Sequence, residues 1–146
     1  MKIRRLTSAD EAQWRALWTG YLEFYDSTVP EGVYQTTFAR LLSGDPSQVQ
    51  GFVAESEGKL IGLVHYFYHA HGWKVEQVCY LQDLYADPAA RGQGVGAALI
   101  EAVYAQADAD DAPSVYWMTQ EFNHTARKLY DRIGTLTPFI KYQRPG

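Results

Sequence analysis

Six residues in the middle of the chain, Arg91-Gly92-Gln93-Gly94-Val95-Gly96, have the types and spacing to hold an anion. Glycine at 92, 94 and 96 lets the backbone bend and lets a ligand approach without meeting a Cβ. From Gly94 onward Val95, Ala98, Leu99, Ala102 and Val103 recur at helical spacing, so the turn opens a helix. The first amides of a helix lack intrahelical partners and lie at the positive end of its dipole. A strand-like run, Val75 to Ala86, feeds the turn and ends at Asp87-Pro88. Strand, glycine turn and helix N-terminus together bind phosphate or pyrophosphate. The plainer alternative is a tight strand-to-helix turn whose glycines serve geometry alone.

Gly92 to Ala97 also fits the G-x-G-x-x-A pattern of a dinucleotide-binding turn, which is weak by itself. Its context argues against that reading. A dinucleotide site expects an apolar strand running directly into the first glycine and an acidic residue ending the next strand. Here the polar connection Asp87 to Arg91 intervenes, and the next strand starts near Ser114 and ends in Thr119-Gln120.

The elements around this turn follow from periodicity. Residues 2 to 6 read as a short strand, and Ser8 with Glu11 forms an S-x-x-E capping box. Trp14, Leu17, Trp18, Tyr21, Leu22 and Tyr25 then recur at helical spacing. Pro30 opens a second helix with Tyr34, Phe38, Leu41 and Leu42 on one face and Gly44 near its end. Gly51 to Glu55 and Leu60 to His69 are β-rich runs around the turn Ser56-Glu57-Gly58-Lys59. After the glycine-opened helix come a strand at Ser114 to Thr119, a helix begun by Asn123 and stopped by Gly134, and a last strand at Thr137 to Tyr142. The expected order is β-α-α-β-β-β-α-β-α-β in a single domain, an α+β or mixed α/β fold.

Bulk properties narrow the function classes. A chain of 146 residues favours one domain with a real core. The net charge of -4 without a Lys/Arg cluster speaks against nucleic acid and mildly for cationic partners such as small amines. Cys79 is the only cysteine, so no intramolecular disulfide forms. No run approaches the ~20 apolar residues of a membrane span, and the opening Met-Lys-Ile-Arg-Arg lacks a signal-peptide core. The expected setting is the cytoplasm, with no membrane partner.

Arg91-x-x-Gly94-x-Gly96, placed after a strand ending in Asp87-Pro88, resembles the acetyl-CoA motif of the GNAT N-acetyltransferase superfamily. The element order is similar to that fold over nearly the whole chain. Tyr80-Leu81-Gln82-Asp83-Leu84-Tyr85 and Asn123-x-x-Ala126-x-x-x-Tyr130-x-x-x-Gly134 resemble its small-amine and polyamine branch, and the ending Pro138-Phe139-Ile140-x-Tyr142 its histone/polyamine members. The resemblance implies a mostly antiparallel mixed sheet, splayed between the strands around 84 to 86 and 115 to 119 to admit acetyl-CoA. It implies that Arg91, Gly92, Gln93, Gly94, Val95 and Gly96 grip the pyrophosphate, and that Leu84, Tyr85 and Ala86 offer backbone groups to the pantetheine arm. It further implies that Asn123 and Tyr130 contact the cofactor, with Tyr130 as the general acid for the departing thiolate and a Leu84 backbone group near the oxyanion. Seven residues of helix set Asn123 and Tyr130 on one face, ~10 Å apart. Read without the resemblance, Asn123 is an N-cap and Tyr130 a core tyrosine. A homodimer is implied too, and the aromatic end of the chain would give a pairing strand.

Amide formation from a thioester needs a neutral amine, a stabilised oxyanion and a protonated leaving group; direct transfer in a ternary complex, without Cys79 as nucleophile, is expected. Polyamine-type relatives often carry glutamate as base where this chain has Gln82, which cannot accept a proton. Asp83, Glu23, Asp26 and Glu121 remain as candidates, although strand alternation sends Asp83 to the opposite face from Gln82, as a structural carboxylate. Glu23, Tyr25 and Asp26, at the end of the first helix, are the expected acceptor contacts, suited to a cationic amine, with a solvated helix end as the alternative. His65 and His69 would stand ~13 Å apart along a strand, too far for one metal ion, and with His71 they read as surface or cleft residues. No metal is expected. His124 reads as a solvated first-turn residue and Cys79 as a small strand filler. Two other functions stay open: a GNAT-like CoA sensor without transfer activity, kept alive by Gln82, and a protein or histone lysine acetyltransferase.

Overall fold

The structure, a computed structural model, describes all residues from Met1 to Gly146. Its elements run β1 (Lys2–Arg4), α1 (Glu11–Phe24), α2 (Glu31–Leu42), β2 (Gln50–Ser56), β3 (Lys59–His69), β4 (Val78–Ala86), α3 (Val95–Ala109), β5 (Val115–Tyr116) and α4 (His124–Ile133). One sheet holds all five strands in the order β1-β2-β3-β4-β5, antiparallel except for the parallel β4–β5 pair. The fold is the mixed α/β arrangement expected from the periodicities.

Each face of the sheet has its own core. Trp14, Leu17, Trp18 and Leu22 fall at i, i+3, i+4 and i+8 along α1, and this stripe packs with Phe38 of α2 onto Val53 and Leu63. On the other face Val95, Leu99, Ile100 and Val103 of α3 pack onto Val64, Tyr66, Cys79 and Leu81. Gly62 permits the close approach of α3, because a Cβ there would lie 2.6 Å from Val95 Cγ1. The β2–β3 hairpin turns at Glu57 and Gly58, both with positive φ (51° and 77°). That sign suits the right-handed twist of the flanking strands.

Four local expectations need correction. The capping box sits one residue earlier, at Thr7 and Asp10: the Thr7 amide donates to Asp10 Oδ2 at 2.7 Å. Asp10 wins over Glu11 because Arg4 grips its carboxylate through two nitrogens, at 2.8 and 2.9 Å, while Glu11 pairs with Arg15 on the surface. Leu42, the last residue of α2, is exposed and does not join the face that carries Tyr34, Phe38 and Leu41. The strand expected at 114 to 119 pairs only at Val115 and Tyr116. No last strand forms: residues 135 to 146 take no regular structure, and Phe139, Ile140 and Tyr142 are exposed. A strand exists only by pairing, and this segment finds no neighbour within its own chain.

Strand β4 also departs from simple alternation. His65 lies opposite Asp83, yet Tyr66 lies opposite Leu81, so Gln82 is an extra residue bulging from β4. The bulge resets which side chains face which core. Leu81 and Leu84 both join the α3 side, whereas Asp83 turns toward α1.

The tight seat of α3 at Gly62 gives a stability test. Gly62→Ala should lower unfolding stability by about 1–3 kcal/mol through overpacking against Val95 and Leu99, read from urea denaturation.

Candidate active site

The glycine turn links β4 to α3 after a short 3₁₀ turn at Pro88–Ala90, where the Asp87 carboxylate accepts from the Ala89 amide at 3.0 Å. Arg91 is extended and exposed. Gly92 and Gly94 adopt the left-handed region, with φ of 81° and 74°, and Gly94 caps α3. The amides from Gly92 to Ala97 donate to no group of the chain; the first α3 amide with a partner is Ala98, bonded to the Gly94 carbonyl at 3.0 Å. A Cβ at Gly92 or Gly94 would meet no heavy atom within 4 Å, so the turn faces open space. Gly96 serves packing instead, for a Cβ there would lie 3.1 Å from Leu129 of α4. Successive free amides at a helix N-terminus are the donor set for a pyrophosphate.

Beside the turn the sheet opens. β5 pairs with β4 only at Cys79–Val115 and Tyr80–Tyr116, after which the two chains part. Residues 81 to 86 of β4 therefore present an edge not paired with β5. Trp117 draws the departing chain toward α4: its ring meets Tyr130 edge-on at 5.5 Å and lies close to Tyr104. Gly134 makes room for that ring, since a Cβ would come within 2.9 Å of it. Gly134 does stop α4, but in extended conformation and for this contact, not as a left-handed cap.

Tyr130 faces this opening. Burial, and next the nearby Tyr25 phenol, push its pKa up to about 12, so it stays protonated at neutral pH, and its hydroxyl bonds to no group of the chain. Asn123 caps α4, with Oδ1 accepting from the Ala126 amide and Nδ2 donating to Thr119 Oγ1, each at 3.4 Å.

The sequence matches the Acetyltransferase (GNAT) family over residues 13–135. The chain belongs to the GNAT acetyltransferase family. It is 40% identical to the D-amino-acid N-acetyltransferase HPA3 of Saccharomyces cerevisiae, over 99% of this chain and 90% of that protein. Two solved structures share the fold: the ribosomal-protein-alanine N-acetyltransferase of Brucella melitensis biovar Abortus 2308 (TM-score 0.80, 19% identity, all of both chains) and AAC(6')-Iy in complex with a bisubstrate analogue (TM-score 0.85, 19% identity, 99% and 97% covered). The protein is an acetyl-CoA-dependent N-acetyltransferase.

In this GNAT enzyme the turn offers the amides that a CoA pyrophosphate requires, and the parted strands offer a slot beside them. The acceptor side differs from the sequence expectation. Tyr25 is half-buried, its ring 5.1 Å from that of Tyr21, whereas Glu23 and Asp26 are exposed at the end of α1. Gln82 is exposed on the bulge, and Glu121 is exposed too. Asp83, expected on the face opposite Gln82 as a structural carboxylate, is 7% exposed, turned toward α1 and close to Tyr21, while Gln82 takes up the bulge. His65, expected as a surface or cleft residue, is not at the surface: it is 1% exposed and its Nδ1 lies 2.8 Å from Asp83 Oδ2. Periodicity carries no sign of a bulge, so neither placement was legible. His69 stays near the surface, with Nε2 and the Tyr116 hydroxyl 2.7 Å apart. His124 is exposed and Cys79 buried, as expected.

Gly94→Glu should abolish CoA binding by setting a carboxylate among the free amides. Gly94→Asn tolerates the left-handed backbone and should keep the fold, which separates strain from charge. Calorimetry with CoA on both variants reads the outcome; undiminished affinity in a folded Gly94→Glu protein contradicts the assignment.

Proposed function

We propose that this enzyme moves the acetyl group of acetyl-CoA to the primary amine of a small molecule, of amino-acid size, by direct transfer in a ternary complex. The observation that carries the reading is the cluster at the end of α1, where Tyr21, Tyr25 and Tyr80 lie about one buried carboxylate, Asp83, beside the parted strands. A ring of phenols about one negative charge suits a compact cation through both charge and cation–π attraction. The yeast relative named for D-amino acids supports the class, and a D-amino acid is the first acceptor to test.

Acetyl-CoA supplies an acyl group activated as its thioester. The amides of Gly92, Gly94, Val95 and Gly96, with Arg91 and Gln93, hold the pyrophosphate. Leu84, Tyr85 and Ala86 give backbone groups to the pantetheine arm as an added strand would, and a Leu84 backbone donor faces the developing oxyanion. Asn123 touches the cofactor while capping α4. Tyr130 holds its proton at neutral pH and delivers it to the leaving sulfur. Tyr25 walls the acceptor pocket, Glu23 and Asp26 bias its mouth toward cations, and Gln82 hydrogen-bonds the acceptor without charge. Asp83 is the carboxylate that meets the amine, in place of a base at Gln82, and it takes the proton the amine nitrogen loses as the C–N bond forms and the C–S bond breaks. The reaction takes place in the cytoplasm; no helix of the chain is long and apolar enough to cross a membrane. The active form is a homodimer, which covers the exposed Leu136, Phe139, Ile140 and Tyr142. Light scattering at micromolar concentration should return twice the 16.5 kDa chain mass.

Thiol release from acetyl-CoA, measured with D- and L-amino acids, polyamines and a basic protein, tests the function. Turnover of a small amine is expected; acetylation of the basic protein alone overturns the reading. Tyr130→Phe should lower kcat on the order of a hundred-fold with little change in acetyl-CoA affinity, since only the leaving-group proton is lost.

A further inference from the structure

Behind Asp83 runs a chain of buried side chains from three elements. His65 of β3 has Nδ1 2.8 Å from Asp83 Oδ2, and the Trp14 indole of α1 donates to His65 Nε2 at 3.0 Å. Trp14 and His65 are 0% and 1% exposed, and Trp14 is fixed by stacking on Trp18 and packing against Phe38. An indole nitrogen is only ever a donor. The hydrogen-bond network therefore assigns His65 Nε2 as acceptor and places the single ring proton on Nδ1, donated to Asp83. A second proton, on Nε2, would set two N–H groups against each other in a buried contact.

The charge balance of the cleft follows from this tautomer. The titratable groups that face Asp83 are His65 from β3, Tyr21 and Tyr25 from α1, and Tyr80 from β4; Tyr34 of α2 stands behind, edge-on to the Trp14 and Trp18 rings. Burial first, and then the Asp83 charge, raise the Tyr21 pKa well above the usual phenol range; burial likewise raises Tyr25 and Tyr80, so all three are neutral. A neutral imidazole and three neutral phenols leave the Asp83 carboxylate hydrogen-bonded but without a counter-charge. A buried carboxylate held this way draws in a cation.

We propose that Trp14 and His65 are positioning residues for the acceptor amine: His65 orients Asp83 toward the cleft, and Trp14, by occupying His65 Nε2, prevents a competing imidazolium from neutralising it. This rests on the acetyl-transfer reading above and adds to it the device that keeps the amine-binding charge available on the acid side of neutrality. Were His65 free to take a second proton, it would close an ion pair with Asp83 and exclude the ammonium.

The test follows the KM for the amine against pH, as the ratio of each variant to the unmodified enzyme, which cancels ionisation of the amine itself. Trp14→Phe keeps an aromatic ring in the core while it removes the donor and the volume of the indole's second ring, a loss that does not vary with pH. Its KM ratio should climb by about tenfold between about pH 8 and pH 5.5 as imidazole protonates, while the KM for acetyl-CoA does not follow. His65→Asn keeps an N–H toward Asp83 without an ionisable ring, and the double variant Trp14→Phe/His65→Asn should lose the acid rise that Trp14→Phe gains. A flat ratio for Trp14→Phe, or a rise that persists in the double variant, overturns the proposal. Nitrogen NMR of the unmodified protein decides the same point if the variants do not fold: a ring protonated on Nδ1 alone is expected at the pH of the assay, and an Nε2–H tautomer or an imidazolium contradicts it. Absence of amine turnover in the unmodified enzyme would instead count against the acetyl-transfer reading, leaving the tautomer measurement to judge this one.

Discussion

Two residue pairs join β4 to β5, and the brevity of that ladder shapes the enzyme. Parallel pairing at Cys79–Val115 and Tyr80–Tyr116 is enough to fix the direction of β5, and the Cys79 amide adds a bond to the Ser114 carbonyl at 2.8 Å. Beyond it the Trp117 ring is claimed by Tyr104, Tyr130 and Gly134, and burial of so large a ring outweighs a few more ladder bonds, each worth about 1 kcal/mol net. The opening so produced leaves residues 81 to 86 of β4 unpaired with β5, and the glycine turn with its free amides follows directly at the end of that edge.

The bulge at Gln82 does the equivalent for the acceptor. An extra residue in β4 turns both Leu81 and Leu84 toward α3 and leaves Asp83 on the α1 side. Burying a carboxylate costs several kcal/mol unless it is hydrogen-bonded, and here the bond comes from a histidine that is itself held by a tryptophan. Asp10 shows the structural counterpart: it too is buried, but Arg4 neutralises it, its pKa is lowered by that bond, and it faces no ligand.

Much of the cofactor side was legible in the sequence. The alternate glycines at 92, 94 and 96, the apolar stripe from Val95 to Val103 and the Asn123-initiated helix are local patterns, and local patterns survive folding. Asn123 illustrates how far this goes: its capping role is a matter of neighbours three residues away. Tyr130 could be placed on the correct face by helical spacing, but its raised pKa depends on burial against Trp117 and on Tyr25 of α1, partners the spacing does not contain. The surroundings of Asp83 and His65 are not legible in the sequence, since they depend on the bulge in β4 and on which face of β3 packs against α1.

The sequence by itself determined the element order as far as α4, the hairpin, the glycine turn and membership of an acetyl-CoA-using fold, because each rests on periodicity or on residues within a few positions of one another. Only the tertiary structure decided that Asp83 turns toward α1, that His65 is buried between Trp14 and Asp83, and that the C-terminal aromatics form no strand. Those outcomes depend on register between strands and on contacts across 51 and 18 residues of chain, where a one-residue slip reverses every side chain that follows.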